Sequence, residues 1–302
     1  MKAAAFSEFG GPEVLRVVEL PTPEAGEGQV RVRVRAAGVQ PYDVALRQGW
    51  MPQGAMDGRP RVPGNEFSGV VDQVGPGVSG VSAGDEVLGF TTLNCYAEYV
   101  VVPWENVTAK PVNMPWEVAG GFTAGTQTAH LALGQLGVGE GDTVLVHAAA
   151  GSVGTAAVQL ARLWGATVIG TAREENHDYL RSLGAVPVAY GEGLLERVRT
   201  LAPGGVTAVL DGAGGDALDV SLKLVKADRI VTLVEHGKAE ELGVQVVQGV
   251  RLASRLAELA DLYARGELTF HVRRTYPLER AADAHREIEA RHGWGKVVLV
   301  VD

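Results

Sequence analysis

The residues with the clearest chemical purpose in this chain are small ones. Ala149-x-Gly151-x-x-Gly154 joins a short apolar run, Thr143–Ala148, to a segment with apolar residues at helical spacing, Val153–Trp164. A helix N-terminus presents unpaired backbone N–H groups and the positive end of its dipole, which suits a pyrophosphate. Small side chains, here Ala149, Gly151, Ser152, Val153 and Gly154, let phosphates reach that backbone. The spacing follows the dinucleotide fingerprint G-x-G-x-x-G with alanine in the first place. Close helix–strand packing without a ligand is the competing reading, and the strand–turn–helix context favours the dinucleotide.

The tip of the next strand chooses which dinucleotide. A site for an unphosphorylated ribose places Asp or Glu about 20 residues after the glycines. Here the run Ala166–Gly170 continues Thr171-Ala172-Arg173, with no acid at its tip. A hydroxyl and a guanidinium suit a 2′-phosphate. The expected cofactor is therefore NADPH, with Thr171 and Arg173 as its readers. Glu174 and Glu175 follow, where acids complement the start of a helix.

These residues need a frame. Gly165 stops the first helix, and Ala166–Gly170 reads as a second buried strand, completing a βαβ unit. The alternation continues through helix Glu175–Leu183, strand Val186–Tyr190, helix Gly193–Leu201, strand Thr207–Leu210, helix Asp216–Leu224, strand Arg229–Val234 and a short strand Val244–Gln248. That pattern predicts an α/β fold with a doubly wound parallel sheet. Ligands of such sheets lie beyond the carboxyl ends of the strands: Ala148–Gly154, Thr171–Arg173, Tyr190, Asp211–Gly212 and Val234–His236. An amphipathic helix, Arg251–Arg265, leaves the sheet. Thr269–Tyr276, Leu278–Arg291 and Lys296–Val301 then read as strand, helix and strand returning to the first domain.

Residues 2–100 read as all-β: Lys2–Phe6, Val14–Glu19, Gln29–Ala36, a strand entered at Pro63–Val71, one near Val87, and Ala97–Val102. Short strands between Gly/Pro turns predict a small barrel-like domain. A short helix, Asp43–Gln48, and a loop rich in Gly, Pro and Met, 49–61, interrupt it. Two helices, Pro115–Phe122 and Ala124–Leu136, are expected in the connection, which is crowded with small residues.

Composition bounds the partners. The 302 residues carry a net charge of −9, which argues against nucleic acid or an anionic membrane surface. No 18-residue apolar run is present, and the N-terminus lacks a signal-peptide pattern, so a cytoplasmic protein is expected. The single cysteine, Cys95, makes no intrachain disulfide and no multi-cysteine zinc site. His147 lies beside the turn, where a packing role is favoured over a base; His271, His285 and His292 read as surface residues.

Several motifs agree with one family. AGVQPYD (37–43), PGNEFSGVV (63–71), GVSAGDEVLG (80–89), YAEYV (96–100), AAAGSVG (148–154), RSLGA (181–185), DGAGG (211–215) and GKVVL (295–299) run from end to end in the family's order. The chain resembles the zinc-independent medium-chain dehydrogenase/reductases, within them the NADPH-dependent quinone oxidoreductase group. The resemblance implies a GroES-like β-barrel-type domain (1–112 and 266–302), an inserted Rossmann domain (113–265) and a cleft between them. It implies a homodimer joined through Val244–Gln248. It places Tyr190 at the adenosine half and Val234 at the nicotinamide end, with Gly212 nearby. Gln40, Tyr42, Asp43, Trp50 and Met51 would line the substrate cleft, with Asn94 and Tyr96 near its rim.

Zinc-using relatives carry Cys in the first motif and Gly-His-Glu in the second, where this chain has Gln40 and Gly64-Asn65-Glu66. Catalytic zinc needs three protein ligands from Cys, His and carboxylate, so no metal is expected. Quinones and enones accept hydride without one. The expected reaction is hydride transfer from NADPH to a small quinone or activated alkene, with Tyr42 or water as proton donor. An enoyl-thioester reductase is the alternative, with Arg47, Arg59 and Arg61 as a basic entrance. A low-turnover NADPH-binding sensor is the third.

Overall fold

A computed structural model describes residues 1–51, 60–290 and 293–302. The first part of the chain forms β1 (Lys2–Ala5), β2 (Arg16–Glu19), β3 (Gln29–Val39), α1 (Pro41–Arg47), β4 (Glu66–Val74), β5 (Glu86–Phe90), β6 (Tyr99–Pro103) and β7 (Val107–Ala109). The middle forms α2 (Trp116–Gln135), β8 (Thr143–Val146), α3 (Ser152–Leu163), β9 (Thr167–Ala172), α4 (His177–Ser182), β10 (Val186–Ala189), α5 (Leu194–Leu201), β11 (Ala208–Asp211), α6 (Asp216–Ser221), β12 (Ile230–Thr232), α7 (Ala239–Leu242) and β13 (Gln245–Val246). The chain closes with α8 (Ala253–Ala264), β14 (Val272–Pro277), α9 (Ala281–Glu289) and β15 (Lys296–Val300).

The middle strands make one parallel sheet in the order β10-β9-β8-β11-β12-β13. The order reverses between β8 and β11, and a doubly wound sheet opens its crevice at such a reversal. Strand β8 shows why the sheet is buried on both faces. Val144 and Val146 join the core that also holds Phe122, Leu133 and Leu160, while Leu145 joins Ile169, Val198 and Val209 on the other face.

The second large sheet runs β14-β15-β3-β4-β5-β7, with β6 also on β3. Thus the last two strands do return to the N-terminal sheet: β15 pairs antiparallel with β3 from Val297–Val39 to Val300–Ala36.

Two expectations about elements are corrected. The connection is one helix, α2, not two. Its small residues are a contact face: a Cβ on Gly120 would strike Ala36, and one on Gly121 would come within 2.8 Å of Lys296 Cγ. The small run thus lets α2 lie against β3 and β15 without breaking. The edge strand β13 is only two residues long. Gln135 of α2 takes up part of that edge, donating to Val246 O (3.1 Å) and accepting from Gln248 N (2.9 Å).

Candidate functional site

The turn after β8 is held by a closed set of hydrogen bonds. His147 is buried, and burial lowers its pKa to about 4, so the ring is neutral at physiological pH. Ser221 Oγ donates to Ala217 O (2.7 Å), which leaves it to accept from His147 Nε2 (3.0 Å). Nδ1 then accepts from Thr171 Oγ1 (3.3 Å), and Thr171 Oγ1 in turn accepts from Ala148 N (3.2 Å). Ala148 adopts φ +54°, uncommon for a residue with a Cβ. Ala149 is buried and its N–H donates to Thr171 O (3.0 Å).

Gly154 is required by packing, since a Cβ there would lie 2.5 Å from Ala148 O and 2.6 Å from Ala149 Cα. Gly151, Ser152 and Val153 stay partly exposed at the first turn of α3. This cradle fits a dinucleotide pyrophosphate: a twelve-residue helix start, three accessible N–H-bearing residues, and no bulky side chain over them.

Thr171 is corrected. It does not stand at an open strand tip; it is 2% exposed, and its hydroxyl holds the turn instead of reading a phosphate. Arg173 does stand at the tip. Its Nε donates to Tyr190 Oη (3.0 Å), and its Nη1 lies 3.8 Å from Glu175 Oε1. Tyr190 is half-exposed beside it. The Tyr190 hydroxyl and then Glu175 hold the guanidinium's pKa above its ordinary value. The fold gathers Arg173, Glu175 and Tyr190 into one cluster.

At the other end of the crevice, Asp211 Oδ1 accepts from Ala213 N (2.9 Å) and Gly214 N (2.8 Å), and its Oδ2 from Thr232 Oγ1 (2.8 Å). Gly215 N donates to Glu235 Oε1 (2.8 Å), tying together the loops after β11 and β12. Gly212 is partly exposed and Val234 half-exposed on those loops.

On the barrel side, Gln40 and Asp43 flank the start of α1. Gln40 is nearly buried; its Nε2 donates to Asn65 Oδ1 (2.8 Å) and to Glu66 Oε1 (2.9 Å). Glu66 Oε1 also meets Lys296 Nζ at 2.6 Å. Asp43 is fully buried and does not face a cleft: it accepts from Gln40 N (3.0 Å), Gly64 N (2.9 Å) and Tyr96 Oη (3.0 Å). Burial outweighs these donors and raises its pKa to about 6. Tyr96 is likewise no rim residue; it is fully buried, and burial first, then Asp43, pushes its phenol well up.

Tyr42 is partly exposed and packs edge-on against Trp50, ring centroids 5.2 Å apart. Burial pushes its pKa up to about 12, so it keeps its proton. Trp50 is half-exposed, whereas Met51 packs partly against the barrel core. Asn94 is exposed with φ +79°, a conformation asparagine tolerates. Cys95 is fully buried and its thiol is pushed well up by burial.

The basic entrance is corrected too. Arg47 is buried and pairs with Glu289 and His285 Nδ1, and Arg61 is buried with its guanidinium over Phe9. Arg59 lies outside the described residues, as does His292. His285 is no surface residue: it is fully buried, and His271 stacks on Trp294 at 3.8 Å between centroids.

Sequence reasoning missed Arg251 and assigned no role to Asn65. Arg251 Nη1 donates to Asn65 O (2.9 Å), across 186 residues of chain. No periodicity or spacing marks such a contact; only the return of the chain after β13 creates it.

Residues 26–112 match the alcohol dehydrogenase GroES-like domain, and residues 183–299 match a domain described as zinc-binding dehydrogenase. A solved NAD-dependent alcohol dehydrogenase is 34% identical, with TM-score 0.87 over 100% of both chains. The Escherichia coli quinone oxidoreductase complexed with NADPH is 28% identical, with TM-score 0.87 over 99% of this chain and 100% of that one. The spectinabilin polyketide synthase system protein NorB of Streptomyces orinoci is 35% identical over 97% of this chain. The chain spans only 14% of that much longer relative.

Proposed function

Because this chain belongs to the medium-chain dehydrogenase/reductase family, in its quinone oxidoreductase-like group, and is an NAD(P)-dependent oxidoreductase, we propose that it reduces a small quinone or activated alkene with NADPH and without a metal. The observation that carries the reading is the pairing of two features along one crevice: an open phosphate cradle at α3 and, at the tip of β9, a guanidinium set between Tyr190 and Glu175.

When bound, the reduced nicotinamide supplies a hydride. In this reading Ala149, Gly151, Ser152, Val153 and Gly154 hold the pyrophosphate, Arg173 and Tyr190 the adenosine phosphate, and Gly212 and Val234 border the nicotinamide. Residues 113–265 form the nucleotide-binding unit, and 1–112 with 266–302 the acceptor-binding one. Gln40, Tyr42 and Trp50 shape the acceptor's cleft. Tyr42 keeps a phenolic proton that it can donate, though so weak an acid leaves water a competent rival.

Metal-free reduction is supported by the donor set. Gln40 and Asn65 supply amides where zinc needs Cys or His, and Glu66 already faces Lys296. Activity that survives chelation, in protein without stoichiometric zinc, is the expected result. A homodimer across β13 is part of the reading, although Gln135 leaves that edge fewer free groups; light scattering decides it.

Similarity to a polyketide synthase protein supports enoyl-thioester reduction as a second reading. NADPH oxidation followed across quinones, enones and enoyl thioesters tests both. Turnover of thioesters alone would replace the first reading with the second. NADPH binding with no turnover of any acceptor would leave a sensor.

A further inference from the structure

We propose that Arg251 binds the carbonyl oxygen of the acceptor and balances the negative charge that reduction places on it. The proposal rests on the reductase reading above and assigns its acceptor site a cation. Arg251 lies between β13 and α8 and is partly exposed. Its placement is firm: the next residue, Leu252, donates its N–H to Gln127 Oε1 (2.9 Å), and Arg255 Nη1 donates to Val250 O (2.9 Å). From there the guanidinium reaches across to Asn65 O, beside the Gln40–Asn65–Glu66 cluster.

The charge of Arg251 is met by Glu66 and Asp43 only at a distance. Among the described residues it makes no ion pair. The two nearby acids are already engaged. Glu66 faces Lys296 and Gln40 through one oxygen and accepts from Ala124 N (2.6 Å) through the other, while Asp43 accepts three hydrogen bonds. One of the five guanidinium N–H groups is bonded to Asn65, which leaves a donor fork for a ligand. Burial lowers the Arg251 pKa, and an arginine nonetheless stays cationic at neutral pH. A partly desolvated cation with no acid in contact is costly, and an oxygen that gains charge during reaction is the partner it suits best. The same charge lies close enough to Tyr42 to oppose the rise in that phenol's pKa.

The balance of the step fits this placement. An enone that takes a hydride at its β-carbon moves the alkene electron pair toward the carbonyl and becomes an enolate. A proton from solvent then completes the saturated ketone. A quinone that takes the same two electrons becomes a hydroquinone monoanion and needs one proton. In both cases the charge develops on an oxygen that Arg251 can meet. The reductant is a dihydronicotinamide.

The experiment compares wild type with Arg251→Gln and Arg251→Lys. Each is checked for an unchanged thermal melt and titrated with NADPH by fluorescence. The kcat/KM for p-benzoquinone and for a simple enone should fall on the order of 100-fold in R251Q, with NADPH affinity unchanged and R251K intermediate. Binding of p-nitrophenolate to the NADP+-loaded protein should weaken about tenfold in R251Q. Unchanged phenolate affinity, or NADPH affinity lost in parallel with kcat/KM, would overturn the assignment. A wild type that turns over no quinone or enone would overturn the reductase reading instead, and the phenolate titration would still decide Arg251.

Discussion

Lys296 Nζ stands 2.6 Å from Glu66 Oε1, with the two side chains 3% and 0% exposed. The pair joins the last strand of the chain to the start of β4. Glu66 Oε2 extends the link to α2 through Ala124 N (2.6 Å). Gly38 and Gly121 make the room, because a Cβ on either would strike Glu66 or Lys296. One ion pair thus fastens three elements around Gln40 and Asn65.

Breaking such a pair from one side leaves an uncompensated buried charge. Lys296→Met should therefore cost about 3–5 kcal/mol in urea unfolding. The double variant E66Q/K296M should cost clearly less than the sum of its single changes, because no charge is left unpaired. Additive losses would mean that the two charges do not depend on each other.

Much of this arrangement could be read from the chain before folding was considered. The parallel sheet was legible because each strand is a short apolar run closed by Gly or a polar turn, and because β9 follows β8 at the spacing of one helix. The return of β15 to β3 was legible from the closing GKVVL segment. What stayed hidden depends on partners distant in sequence. Thr171 looks like a strand-tip hydroxyl until His147 and Ala148 close over it. Asp43 and Tyr96 look like cleft residues until each buries the other. Small residues in α2 look like a break until Ala36 and Lys296 fill the space they leave.

The Thr171 hydroxyl gives a sharp test of the phosphate turn. Thr171→Val removes the acceptor of Ala148 N and the donor to His147 Nδ1 inside a buried site. Each unsatisfied group costs about 1–3 kcal/mol. The variant should melt lower and bind NADPH and NADH more weakly by the same factor, as measured by fluorescence titration. A selective loss of NADPH would restore Thr171 as a phosphate reader.

Arg173 should behave in the opposite way. A guanidinium forms charge-assisted hydrogen bonds to a phosphate, so Arg173→Ala should weaken NADPH by about tenfold and leave NADH nearly unchanged. Glu175 competes for the same guanidinium at 3.8 Å. Glu175→Gln should therefore raise the preference for NADPH, with salt reducing the gain because the pair is exposed. Equal losses for both cofactors in R173A would place the guanidinium against the adenine instead.

The pH dependence of stability follows from two buried histidines and one buried acid. Burial lowers His147 to about 4, and burial with Arg47 nearby lowers His285 to about 3. Both are neutral when folded, and an unfolded histidine binds its proton near pH 6.5. Their contribution is present above that pH and lost as pH falls through 6.5 toward 4 and 3. One pKa unit corresponds to about 1.4 kcal/mol, so the losses are on the order of 3 kcal/mol for His147 and 5 kcal/mol for His285 at the acid end. Asp43, raised to about 6, works the other way: it favours the folded state as pH falls from 6 toward 4. Two histidines outweigh one carboxyl, so the melting temperature should fall steadily below pH 6.5. His285→Asn, whose amide oxygen can accept from Arg47 Nε in place of Nδ1, should make that fall shallower while costing stability at pH 8. A melting temperature that rises on acidification would show that Asp43 dominates. An unchanged slope in H285N would remove His285 from the account.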